Sequence, residues 1–109
     1  VAVAHDIGSL GEQLALRFLM DRGFSLVERN VFVDGYELDI VVVRDATVVA
    51  VEVKTTTRAG DPVEAVNDSK ASYLLRAVSA YRLAVHRIDV VGVTLGMHGA
   101  TIRWLKGAL

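Results

Sequence analysis

Residues 38–53 restrict this chain to a sheet-forming fold more tightly than any other stretch. Two β-branched runs, 38–43 and 48–53, flank the short polar break Arg44-Asp45-Ala46-Thr47. Runs of that composition around such a break predict an antiparallel hairpin. With the loop centred between Asp45 and Ala46, Asp39 lies opposite Glu52 and Glu37 opposite Lys54. The pleat sends every second residue to one face, so Glu37, Asp39, Glu52 and Lys54 are expected to project together. Side chains directly opposite one another hold their Cβ atoms roughly 4.5–5.5 Å apart. Two carboxylates that close repel each other, and a divalent cation between them reverses the sign. Hard cations such as Mg²⁺ take oxygen ligands and complete their shell with water or phosphate. Lys54 would then hold a water or a phosphate oxygen beside the ion. The same four charges also fit a solvated face with a Glu37–Lys54 cross-strand pair, and the pattern alone leaves both readings open. The register itself rests on an unfavoured turn pair, Asp45-Ala46. A slip of one residue would turn a carboxylate to the other face.

The 109 residues fit a single domain spanning 1–109, large enough for a real core. Apolar content of 52% with one proline argues for a regular, packed fold. The absence of cysteine excludes disulfides and thiolate metal sites. No apolar run approaches the ~18 residues a membrane span needs, and no basic-then-apolar signal segment opens the sequence. A cytoplasmic protein without membrane attachment is the expectation. Net charge is −1, which gives no global case for nucleic acid. Its distribution is uneven, however: residues 1–53 are net acidic and residues 54–109 net basic. An acidic half that could hold metal thus precedes a basic half that could meet phosphate.

Ile7, Leu10, Leu14 and Phe18, with Ala15 and Leu19 beside them, predict a first helix of about four turns. Gly23 stands in the usual position just past a helix end. Glu12 falls roughly 100° from the centre of the stripe, where a long carboxylate reaches a neighbouring sheet. It also fits an exposed glutamate favoured by the helix dipole near an N-terminus. Residues 24–33 read as a strand, and Asp34-Gly35 as a hairpin turn into the next. The first three strands therefore form a meander, with 38–43 central because both of its faces are apolar.

A polar loop follows Lys54, and Asp61-Pro62-Val63-Glu64 starts a short helical turn ending near Asn67. Asn67 or Asp68 caps a longer helix whose stripe is Ala71, Leu74, Leu75, Val78, Tyr81 and Val85. Its basic residues Lys70, Arg76 and Arg82 are spread around the axis and make no single DNA-tracking stripe. Residues 88–95 form a central strand and 100–105 a last one. The expected fold is α/β, a mixed sheet of about five strands flanked by helices in the order α-β-β-β-α-β-β. His5, His86 and His98 lack metal-ligand spacing and read as surface residues. Tyr36, beside the acidic group, reads as packing. There is no Gly-rich phosphate loop and no Ser, His and Asp constellation.

Glu-Leu-Asp-Ile at 37–40 with Val-Glu-Val-Lys-Thr at 51–55 resembles the Asp…Glu-x-Lys signature of restriction-endonuclease-like nucleases. Gly11-Glu12, Arg22-Gly23-Phe24, Glu28-Arg29-Asn30, Asp61-Pro62-Val63-Glu64-Ala65-Val66, Ile88-Asp89-Val90-Val91-Gly92-Val93 and Ile102-Arg103-Trp104 resemble the YraN-like family of small bacterial proteins. In that resemblance Gly11-Glu12 opens the first helix. The likeness covers nearly the whole chain and implies a fold similar to archaeal Holliday-junction resolvases. It implies a site of Glu12, Asp39, Glu52 and Lys54. Asp39 and Glu52 would ligate Mg²⁺ or Mn²⁺, with the main-chain carbonyl of Val53 as a third protein ligand. Lys54 would orient and help deprotonate the attacking water. Glu12 would bind through water or complete a second ion site, and Glu37 would tune the site or pair with Lys54.

The implied chemistry is metal-assisted phosphodiester hydrolysis of DNA, on branched or flapped structures, with action as a homodimer a further expectation. Arg58, Lys70 and Arg76 are the candidate nucleic-acid contacts. The chain departs from its relatives at Ser69, Ala71, Ser72 and Tyr73, where they carry more Arg and Lys, and fewer phosphate contacts weaken DNA binding. A catalytically idle module that binds nucleic acid or protein on the same fold is the alternative.

Overall fold

A computed structural model describes residues 2–57 and 68–109. The elements run α1 (Ala2–Met20), β1 (Ser25–Val33), β2 (Tyr36–Arg44), β3 (Thr47–Thr56), α2 (Asp68–Ala80), β4 (Arg87–Gly96) and β5 (Gly99–Leu105). That is the expected α-β-β-β-α-β-β order. The helical turn expected at 61–67, and Arg58, lie outside the described residues.

The sheet has five strands in the order β1-β2-β3-β4-β5. Neighbours are antiparallel except β3 and β4, which are parallel. Parallel neighbours need a crossover, and α2 lies on it. α1 covers one face through Ala15, Leu16 and Leu19, packed on Ile40, Val42, Val49 and Val51. α2 covers the other through Leu74 and Ala77, packed on Leu38, Val41 and Ala50. Strands buried on both faces are continuously apolar, and 40–42 and 49–51 are buried throughout.

α1 extends over 19 residues, so Gly11 and Glu12 sit in its middle rather than opening it. Glu12 therefore gains nothing from the helix N-terminus, whose field fades within the first turn. The buried face is also rotated from the expected stripe. Gly11 is buried, whereas Leu10 is 44% exposed. The cause is contact with β3: a Cβ on Gly11 would overlap Thr55 Oγ1 and lie 2.8 Å from Thr55 Cβ and Cγ2. Only glycine lets the helix approach that closely. The helix ends as expected. The Gly23 N–H donates to the Met20 carbonyl, and the Phe24 N–H donates to that of Leu19. Gly23 sits at φ 91°, which completes a Schellman cap.

α2 stops at Ala80, not near Val85. Leu74 and Ala77 are buried, with Tyr81 beyond the helix end, while Leu75 is 47% exposed. The inward residues thus recur at three- and four-residue steps through Ala77, a small residue that the expected stripe did not include.

Both hairpin turns place two residues at positive φ: Asp34 and Gly35 at 52° and 78°, Asp45 and Ala46 at 51° and 63°. This is the type I′ geometry that matches strand twist. The β2–β3 register is the one expected, with Arg44 opposite Thr47 and Ile40 opposite Val51. The regular ladder ends there, one pair short of Asp39 and Glu52. Leu38 packs on the α2 side and Ile40 on the α1 side, so the alternation of faces breaks at Asp39. On β1 the break is matched by Asn30 at φ 52°, between the pairs Arg29–Ile40 and Val31–Leu38. Glu37 is consequently parted from the face of Lys54, which corrects the expected common projection of all four charges.

On β4, where it lies opposite Val51, Asp89 is fully buried. Its carboxylate accepts from Arg87 Nε and Nη2 at 2.8 and 2.9 Å. Trp104 Nε1 and the Gly107 N–H donate to it as well, both at 2.9 Å. It ties β4 to β5 and to the chain beyond it.

Two stability outcomes follow. Ala46→Gly relieves a left-handed alanine and is expected to raise unfolding free energy by about 1 kcal/mol in urea titration. Asp89→Ala strands three donor groups, Arg87 among them, and is expected to cost about 3 kcal/mol by the same measurement.

Candidate metal centre

The break at Asp39 gathers acidic groups from separate elements. β2 supplies Glu37 and Asp39, α1 supplies Glu12, and β3 supplies Glu52 and Lys54. One carboxylate oxygen from each of Glu12, Glu37 and Asp39 lies within 4.8 Å of the others. Asp39 is 9% exposed and Glu52 3%. Where strand pairing would continue, the Val53 N–H donates instead to Asp39 Oδ2 at 2.8 Å. In an extended strand the N–H and C=O of one residue point the same way, so the Val53 carbonyl also turns towards the Asp39 side.

Glu52 is held from the opposite face. Its Oε1 meets Lys70 Nζ at 2.8 Å and Lys54 Nζ at 3.7 Å. Its Oε2 is buried and has no hydrogen-bond partner among the described residues. A buried carboxylate oxygen without a donor is costly. Glu12 is anchored by Asn30, whose Nδ2 donates to Oε1 at 2.8 Å.

Crowding raises the proton affinity of Asp39. Burial first, then the charge of Glu52, pushes its carboxyl from the ordinary 3.8 up to about 8. Burial and the neighbouring Lys70 ammonium draw the Lys54 ammonium below its usual range. Burial is the largest single influence on Lys70 and opposes its charge, but the hydrogen bonds to Glu52 and Lys54 with the charges of Glu52 and Tyr36 together move it upward. Tyr36 is pushed up to about 12 by burial and by Glu52.

The donor set fits a small hard cation. It is made of carboxylate oxygens, and its central acid holds a proton at neutral pH unless another positive charge arrives. Glu12, Glu37 and Asp39 would hold such an ion, with Glu52 Oε2 and the Val53 carbonyl at the margin.

The structure brings Glu12, Glu37 and Asp39 together, with Glu52 and Lys54 paired on the opposite face of the same strand end. Lys70 joins that pair, bound to Glu52, although its sequence position suggested only an outer phosphate contact. Arg76 stays on the surface, 3.7 Å from Asp34. Asn30 went unassigned in the sequence. The weak available signal was a residue tolerant of positive φ inside an otherwise β-rich run. His86 and His98 are exposed, as expected. No helix among the described residues is long and apolar enough to cross a membrane.

Residues 11–93 match the family model described as "Uncharacterised protein family UPF0102", the YraN-like family. The chain is similar to a UPF0102 protein of Clavibacter michiganensis, 42% identical over 97 residues, covering 81% of each chain. It is similar to one from Syntrophomonas wolfei at 41%, covering 81% of this chain and 84% of the relative. A Nocardioides relative is 39% identical, with 93% and 88% covered.

The raised affinity of Asp39 gives a signed pH dependence. The folded state binds its proton more tightly than the unfolded chain does, so this contribution to stability is full below pH 4 and lost as pH rises to about 8. Ion-free protein is expected to lose up to about 1.4 kcal/mol per pH unit within that window. Asp39→Asn keeps an acceptor for Val53 and should flatten the slope in urea titrations between pH 4 and 8.

Proposed function

The chain belongs to the UPF0102 family, and on the geometry of its acidic site we propose that it is a Mg²⁺- or Mn²⁺-dependent endonuclease acting on DNA, including branched or flapped structures. The observation that carries this reading is the meeting of Glu12, Glu37 and Asp39 within 4.8 Å beside the Glu52–Lys54 pair. Glu52 Oε2, buried without a donor among the described residues, adds to it, since a nearby cation would offset that cost.

An ion held there would polarise a phosphoryl oxygen and lower the pKa of a bound water. The rest falls to the chain itself. Asp39 is fixed by the Val53 N–H, so its free oxygen faces the acidic group in one orientation. Lys70 occupies Glu52 Oε1 and leaves Oε2 as the open atom. Lys54, with its proton affinity drawn down, orients the attacking water and takes up its proton. Asn30 holds Glu12 against the sheet edge. Arg76 and the basic residues beyond Lys54 would meet flanking phosphates, with modest affinity because they form no continuous stripe. A cytoplasmic setting and action as a homodimer belong to this proposal as well.

The test is cleavage of labelled duplex, single-stranded, flapped and four-way-junction DNA with Mg²⁺ or Mn²⁺, beside Asp39→Ala and Lys54→Ala. Loss of at least about a hundredfold in rate from either substitution is expected. Cleavage surviving both points to a contaminant. Binding without cleavage favours the idle module on the same fold.

A further inference from the structure

Beside the acidic site lies an aromatic step that the hydrolytic machinery does not use. Tyr36 begins β2 and Tyr73 sits in the second turn of α2. Their rings are nearly parallel, 9° apart in plane, with centroids separated by 6.4 Å. The inner ring belongs to the site: Tyr36 feels the charges of Glu52 and Asp39 and reaches Lys70 through its hydroxyl. The outer ring is 54% exposed. Arg76 stands one helical turn on, its guanidinium 5.7 Å from the Tyr73 centroid. One short surface thus runs from Glu52 and Lys70 through Tyr36 to Tyr73 and Arg76.

The strands explain why the step exists. Because alternation of faces breaks at Asp39, Tyr36 and Leu38 turn to the α2 side while Asp39 stays with the acidic group. The aromatic step and the carboxylates therefore flank the same strand end. The step offers a π-face, and the cation beside it suits a phosphate. Unpaired bases stack on exposed aromatic rings whatever their sequence, and arginine adds to that attraction. In a duplex the bases are already stacked on one another and present no free face.

We propose that Tyr73, backed by Tyr36 and flanked by Arg76, is a stacking subsite for an unpaired nucleobase of DNA next to the phosphate held at the acidic site. This rests on the nuclease reading and narrows it, assigning the protein to substrates with a single-stranded arm or gap. Sequence tolerance follows, since a π-face reads no hydrogen-bonding pattern.

The experiment uses the full chain carrying Asp39→Asn to prevent turnover, and single-stranded oligonucleotides with 2-aminopurine at successive positions. Blunt duplex DNA of the same sequence is the internal control. Quenching of 2-aminopurine at one position is expected on binding. Adding Tyr73→Ala should lower affinity for the single strand about tenfold, the scale of one lost base–aromatic stack. Tyr73→Trp should restore both affinity and quenching. Circular dichroism of each variant shows whether the fold is retained. Equal binding of the single strand by the Tyr73→Ala protein, or an equal loss on duplex, overturns the subsite, as does absence of single-strand binding by the starting protein. Failure of the nuclease reading is seen separately, as the absence of metal-dependent cleavage by the unsubstituted chain or as cleavage that Asp39→Asn does not reduce.

Discussion

A single hydrogen bond sets the character of this molecule: the Val53 N–H donates to the carboxylate of Asp39 where a strand carbonyl would ordinarily accept. Backbone donors inside a sheet must be satisfied, so the side chain that takes over this role also ends the β2–β3 ladder at Ile40 and Val51. Past that point β2 is free to change the face it presents, and it does so between Leu38 and Ile40. Glu37 then joins Glu12 across α1, while Glu52 and Lys54 stay with α2. A regular hairpin would have lined all four charges along one solvated surface. The interrupted one divides them between two faces and leaves Glu12, Glu37 and Asp39 as a partly buried group that a cation would relieve.

The surroundings of two buried aspartates, Asp39 on β2 and Asp89 on β4, are built on opposite principles. The buried carboxylate of Asp89 accepts from Arg87, Trp104 and the Gly107 backbone, so its charge is met by complementary donors. Around Asp39 the carboxylates of Glu12, Glu37, Asp39 and Glu52 outnumber the ammonium groups of Lys54 and Lys70, and Asp39 relieves the excess by holding a proton. Such unbalanced groups persist where surrounding structure fixes them, and they concentrate at functional sites. Here the fixing elements are the apolar strands on either side and the glycine contact that seats α1 against Thr55.

Much of this could be read in the residues beforehand. The hairpin register followed from the two Val-rich runs, and the element order from the alternation of periodic and β-branched stretches. Asp39, Glu52 and Lys54 stood out because charges are conspicuous beside apolar strands. What escaped notice depended on tertiary approach. The burial of Gly11 cannot be inferred from periodicity, since glycine carries no apolar signal, and the true face of α1 was missed with it. The inversion at Asp39 needed the concerted backbone change at Asn30 on the adjacent strand. Lys70 lies far along the chain from Glu52, and only the crossover through α2 makes them partners. Asp89 looked like one charge in a central strand, with donors placed 15 and 18 residues later.

Calorimetric titration of Mn²⁺ into the ion-free chain and into Asp39→Asn, at pH 8 where the parent carboxyl ionises, addresses the central claim most directly. The account predicts saturable binding by the parent, with proton release that grows as pH is lowered towards 6.5, and at least tenfold weaker binding by the variant. Equal binding by both proteins, or none by the parent, would contradict it and leave the acidic group as an architectural feature of the broken strand.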